Sequence, residues 1–227
     1  MNATEKAFLI GLLTWAVGSS ARAGAIFRVV GEDGVALSSV DGINWRQHPA
    51  GAFTNWRSAA RGNGIVVAID HKGRLETSVD RVSWVARSSG TPSALHAVAF
   101  GQGVFVAVGN EGALVTSADG KNWRAIDPGT DQRLRGIVYA NGLFVVVGYS
   151  GTILTSSDGG HWQERRCGTD VRLMDVACAN GMFVAVGWEG TIITSSKGFR
   201  WQRQNSGTSS RLSRIRAEDL QTVWDRN

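Results

Sequence analysis

The chain has 227 residues, with 24 Lys and Arg against 19 Asp and Glu and a net charge of +5. That excess is mild and forms no polybasic run, which excludes a nucleic-acid footprint, and the length suits one domain. Histidines stand at 48, 71, 96 and 161 without metal-ligand spacing, so no metal and no other cofactor is expected.

In chain order, residues 1–23 come first and read as an export signal. Lys6 precedes the apolar run AFLIGLLTWAV, and GSSARA then ends in Ala21-Arg22-Ala23, the order of a cleavable secretory leader. The run is too short to span a bilayer, which takes about 20 apolar residues. Cleavage is expected after Ala23, giving a periplasmic or secreted chain without stable membrane insertion. In that compartment Cys167 and Cys178 are permitted to pair. Their places, one in a connecting loop and one in an inner strand, predict that they do not.

A repeat of 39 residues, without insertion or deletion, runs through 24–216. Its markers are Ser39, Asp41 and Trp45; Ser78, Asp80 and Trp84; Ser117, Asp119 and Trp123; Ser156, Asp158 and Trp162; and Ser195 and Trp201. Within each unit a short apolar segment such as LHAVAF leads through Asn-Gly or Gln-Gly to a second apolar run, VFVAVG, LFVVVG or MFVAVG. Asn-Gly between apolar runs signals a tight hairpin, because the turn needs positive φ. A second turn leads to segments such as ALVTSA, and the Ser-x-Asp-Gly turn then leads to a polar outer strand. Four short antiparallel strands at a fixed period near 40 predict an all-β fold, a β-propeller of five four-stranded blades. Residues 217–227 fall outside the pattern as a tail.

The motif needs no ligand to explain it. The Asp accepts backbone N–H bonds inside its turn, the Gly tolerates the dihedrals, and the Trp covers the neighbouring blade. These repeats resemble the Asp-box, or bacterial-neuraminidase-type, repeats of sialidases, sortilin-like receptors and photosystem II assembly factors. The turn is one residue shorter than the usual sialidase form, and Arg81 replaces the Gly while Lys197 replaces the Asp. The resemblance implies a propeller and a structural role for the motif, not a reaction.

The first repeat lacks its inner strand, and Leu212-Ser213-Arg214-Ile215 aligns with the start of one. The C-terminal segment is therefore expected to complete the first blade and close a monomeric ring; an open arc that dimerises is the alternative.

Candidate binding residues come from the loops of one face. The turns between the second and third strands of the fourth and fifth repeats present Tyr149 and Trp188, and nearby loops add Arg133, Arg135, Arg165 and Arg172. Asp175 interrupts an inner strand and is expected near the axis. Aromatics beside Arg are typical anchors of a protein interface. No catalytic residues are expected, since the only tyrosines are Tyr139 and Tyr149, Tyr139 aligns with core positions, and no facing carboxylate pair stands out. The reading is an exported, non-catalytic scaffold binding a protein, as assembly factors do. The alternatives are a carbohydrate-binding propeller and a divergent sialidase-like hydrolase.

Overall fold

A computed structural model describes residues 56–179, 181–206, 209–213 and 215, and the backbone of 27–30, 36–39 and 46–48. The expected leader, Asp41, Trp45 and the 217–227 tail lie outside the described residues. The chain falls into two units, 1–56 and 57–227. The described part of the first is a three-stranded antiparallel sheet of β1 (Phe27–Val30), β2 (Ala36–Ser39) and β3 (Arg46–His48).

The rest forms four-stranded meanders. The second repeat holds β4 (Trp56–Gly62), β5 (Ile65–Asp70), β6 (Leu75–Ser78) and β7 (Val85–Arg87), and the third holds β8 (Leu95–Gly101), β9 (Val104–Gly109), β10 (Leu114–Ser117) and β11 (Arg124–Ala125). The fourth holds β12 (Leu134–Ala140), β13 (Leu143–Gly148), β14 (Ile153–Ser156) and β15 (Gln163–Glu164). The fifth holds β16 (Leu173–Ala179), β17 (Met182–Gly187), β18 (Ile192–Ser195) and β19 (Gln202–Gln204). No helix among the described residues is long and apolar enough to cross a membrane.

The hairpins form where the sequence places them. Asn63 and Gly64 have φ of 47° and 76°, and Asn141 and Gly142 have 52° and 76°, as a type I′ turn requires. The asparagines also reach the following repeat: Asn63 Nδ2 donates to Gly103 O at 3.0 Å and Ala118 O at 2.9 Å, and Asn141 Nδ2 to Gly181 O at 3.3 Å. Gln102 takes the same positive φ, 49°, in the third repeat.

Sheets pack face to face through their second strands. Phe105, Phe144 and Phe183, one repeat apart, are fully buried, each facing apolar residues of the preceding sheet. The continuous apolar runs are thus strands covered on both faces. The glycines of the turns between the third and fourth strands allow this approach. A Cβ on Gly120 would lie 3.0 Å from Val67, and one on Gly198 would lie 2.7 Å from Leu143, both at positive φ. Val67, Val106 and Val145 are completely covered in this way. Val184, at the same register of the fifth sheet, is only half-buried, and Met182 beside it is 40% exposed.

The turns between the third and fourth strands have the internal bonding expected of the Ser-x-Asp motif. Asp119 Oδ1 accepts from the N–H of Lys121 and Asn122, both at 2.8 Å, and from Ser117 Oγ at 3.0 Å. Asp80 and Asp158 repeat the pattern. Trp123, Trp162 and Trp201 donate Nε1–H to the glycine carbonyl of their own turn. Where Lys197 replaces the Asp, Ser195 Oγ still caps Gly198 N–H at 2.8 Å. The remaining bonds are therefore enough to hold the turn.

Those bonds make the turns acid-sensitive. The N–H of Ser83 and Val82 on Asp80, the N–H of Asn122 and Lys121 on Asp119, and the His161 ring followed by its N–H on Asp158 hold the three carboxylates well below the usual range. A depressed folded value contributes stability above the unfolded value of about 4, and that contribution is lost as pH falls below it. Converting Asp80, Asp119 and Asp158 together to Asn keeps an oxygen acceptor but removes the titration. Melting temperature recorded from neutral pH down to about pH 2 should show a flatter acid limb in this variant. An acid limb identical to that of the parent would contradict the assignment.

Cys167 and Cys178 are both free. Cys167 Sγ is buried and donates to Gly151 O at 3.0 Å, while Cys178 Sγ accepts from Asn141 Nδ2 at the opposite end of β16, at 3.7 Å.

Candidate functional site

The loops around Tyr149 and Trp188 are positioned by backbone bonds that repeat with the 39-residue period. Tyr149 N–H donates to Arg133 O at 2.9 Å, and Trp188 N–H to Arg172 O at 3.0 Å. These bonds tie each turn to the loop leading into its own sheet. Gly151 N–H donates to Val171 O at 3.0 Å, and Gly190 N–H to Ser210 O at 2.8 Å, tying each turn to the next loop along. Every aromatic is thereby placed between the arginine of its own loop and that of the next.

The side chains follow that placement. Arg133 lies 5.3 Å from the Tyr149 ring centre, and Arg172 lies 4.7 Å from Tyr149 and 4.5 Å from Trp188. Arg211 lies 5.9 Å from Trp188. Cation and ring alternate as Arg133, Tyr149, Arg172, Trp188, Arg211, each contact within the range of cation–π attraction. The arginines are exposed and the rings half-buried. Trp188 Nε1 is buried and has no hydrogen-bond partner among the described residues. Ala94 and Asn110 hold the corresponding places one repeat earlier, so the ladder starts at Arg133.

The structure brings Tyr149, Trp188, Arg133 and Arg172 into contact with one another. Arg165 stands apart: its guanidinium covers Phe199 at 4.7 Å, beside the outer strand. Arg135 lies on β12, half-buried, on the inner strand and not in the ladder. Asp175 is on inner strand β16, where its Oδ1 accepts from Val176 N–H and its Oδ2 from Ile215 N–H, each at 3.0 Å. The second bond repeats that of Ser58 Oγ with Val98 N–H, 3.1 Å, since Ser58 and Asp175 share one register and Val98 and Ile215 another. Asp175 therefore tethers the backbone of its own strand and of Ile215.

Three cationic or titratable residues escaped the sequence reading. Arg211 follows Arg172 by one repeat, and the period alone could have found it. Arg57 and His96 share the inner-strand register of Arg135, which a column-by-column alignment of repeats would have shown. His96 is 7% exposed, with Nε2 against Asn110 Oδ1. Burial first, and then the positive charges of Arg57, Arg135 and Arg133, hold its pKa down to about 4 against the opposing bond to Asn110. Burial and the neighbouring guanidinium charge together favour the neutral form of His96.

No protein-family model matches the chain, and no curated protein matches it. Solved structures do. YCF48 bound to D1 peptide superimposes with a TM-score of 0.58 at 18% identity over 80% of this chain. YCF48 from Cyanidioschyzon merolae gives 0.52 at 14% identity over 83% of this chain and 84% of its own. An ancestral GH74 enzyme gives 0.53 at 16% identity over 66% of this chain and 24% of its own. The fold is that of a β-propeller. The chain spans about 63% of the length of the peptide-bound YCF48 structure. At these identities the likeness is one of fold.

Proposed function

We propose that this chain is an exported, non-catalytic propeller that binds an acidic or carboxylate-bearing segment of another protein, as an assembly-factor scaffold would. The observation that carries the reading is the alternating ladder from Arg133 to Arg211. It offers rigid apolar area and guanidinium charge on one continuous surface, the residue types that dominate protein interfaces. The likeness to a propeller solved with a peptide bound supports it at the level of fold.

A sugar-binding reading is less well supported, because the faces of Tyr149 and Trp188 already stack against guanidinium groups and are not open platforms. The turn carboxylates are held ionised by amide donors and are poor general acids, which favours a non-catalytic role. A single five-bladed, monomeric ring remains the proposed architecture. From the C-terminal side it is supported by the tether of Ile215 and by the partly uncovered Val184 and Met182, where a further Asp-box turn would seat.

The test is fluorescence anisotropy with short labelled peptides, one rich in Asp and Glu, one neutral and one basic, run beside a glycan array and a chromogenic glycoside panel. Only the acidic peptide should bind, and its affinity should fall with added salt. Glycan binding or glycoside turnover without acidic-peptide binding would overturn the proposal.

A further inference from the structure

The inner strands carry a second feature beside the ladder, and the inference from it rests on the reading that this face takes an acidic partner. Arg57, His96, Arg135 and Met174 occupy one register on β4, β8, β12 and β16. In β8, Leu95 pairs with Gly109 and Ala97 with Val108, which leaves His96 as an extra residue in the ladder. Arg135 and Met174 are extra in the same way in β12 and β16. A bulge re-aims the side chain of its extra residue and bends the strand. The bulges therefore set a histidine and an arginine at one level of adjacent inner strands, with Arg57 at the matching place on β4.

The state of His96 is informative. Its Nε2 faces the Asn110 amide oxygen, so Nε2 carries the proton and Nδ1 holds a bare lone pair. Nδ1 is buried and has no partner among the described residues. An unpartnered buried polar atom in an otherwise well-bonded sheet calls for a physical account. The charged groups acting on the ring are Arg57 from β4, Arg135 from β12 and Arg133 from the loop before β12, all positive. An anion arriving here meets favourable guanidinium charge. It also meets a lone pair on Nδ1, which repels an anionic oxygen.

We propose that a carboxylate bound at the Arg57–His96–Arg135 register is taken up together with one proton from solvent, held on His96 Nδ1. The carboxylate offsets the guanidinium charge that disfavours the imidazolium, and it accepts the new Nδ1–H bond. No heavy-atom bond forms or breaks. The partner's carboxylate is thereby bound more tightly as pH falls, and His96 is the residue that couples the two events.

The test uses the full chain and three probes: N-acetyl-alanine, with a free α-carboxyl; N-acetyl-glutamate α-amide, with a side-chain carboxyl; and neutral N-acetyl-alaninamide. Dissociation constants are measured by NMR perturbation between about pH 5 and pH 7.5, where both acids stay ionised. For the acid that binds, affinity should weaken by about tenfold across this range, the factor expected when binding raises the His96 pKa by about two units from its value of about 4. Which acid binds identifies the carboxylate as a chain terminus or a side chain. The His96 ring should titrate near the value of about 4 without probe and higher with it. His96→Gln, which keeps a donor for Asn110 but cannot take up the proton, should bind at neutral pH with a flat profile. A flat profile in the parent, or the parent's slope retained in His96→Gln, overturns the proposal. Failure of both acids to bind at any pH overturns the acidic-partner reading as well, whereas binding without a pH slope overturns only the proton coupling.

Discussion

Replacing Arg172 and Trp188 together by alanine will weaken binding of an acidic peptide by well over tenfold, with the fold intact. Arg172 is the centre of the ladder, within 5 Å of two ring centres, so its loss removes two stacking contacts and one charge. Trp188 supplies the larger ring and a buried Nε1–H without a partner among the described residues. Interface anchors of this kind commonly cost about 2 kcal/mol each on truncation, roughly thirtyfold in affinity. Stability should change little. Arg172 is exposed, Trp188 half-buried, and the backbone bond between Trp188 N–H and Arg172 O survives in alanine. Anisotropy titrations of the double variant, with Arg165→Ala as a control away from the ladder, measure this. Undiminished binding in the double variant, or an equal loss in Arg165→Ala, would place the site elsewhere.

Phe144→Ala will be among the most destabilising single changes, at about 3–5 kcal/mol. The ring is fully buried and lies 4.6 Å from Tyr139 and 6.2 Å from Trp162, centre to centre. It fills the space between the third and fourth sheets together with Val106 and Val108, so the cavity left behind cannot collapse without moving two strands. For a chain of this length the melting temperature should fall by about 6–20 °C. Calorimetry checks it, and a loss under about 1 kcal/mol would contradict the packing described. Trp123→Ala should cost less. Trp84, Trp123 and Trp162 are half-buried, and among the described motif tryptophans only Trp201 approaches full burial, at 9% exposure. The reason is geometric. The turn before the tryptophan joins the third strand to the outer fourth strand, so its indole covers the edge of the core, while the phenylalanine of the second strand fills the middle.

Much of this architecture is legible in the chain because local chemistry and tertiary packing agree in repeat after repeat among the described residues. Asn-Gly sets hairpins at Asn63 and Asn141, and period-39 apolar runs become strands covered on both faces. Ser and Asp close the turns before Trp84, Trp123 and Trp162. Each signal lies within about ten residues of its partners, so no long-range information is needed. The candidate face was legible in part for the same reason: Tyr149 and Trp188, one period apart, had to share a side.

What only the tertiary structure decided are relations between repeats. Nothing within one loop says that Arg172 stacks on two rings belonging to different sheets; that follows from the Gly151 and Trp188 backbone bonds, which join one turn to the next. The 39-residue spacing puts His96 in one column with Arg57 and Arg135, but it does not show that the column becomes a row of charges acting on one ring. That row exists because equal spacing becomes equal height once the sheets stack, and because a bulge makes His96 and Arg135 the extra residues of β8 and β12. Spacing along the chain determined the repeat, and side-by-side packing determined which charges meet, since electrostatic interaction depends on distance in space.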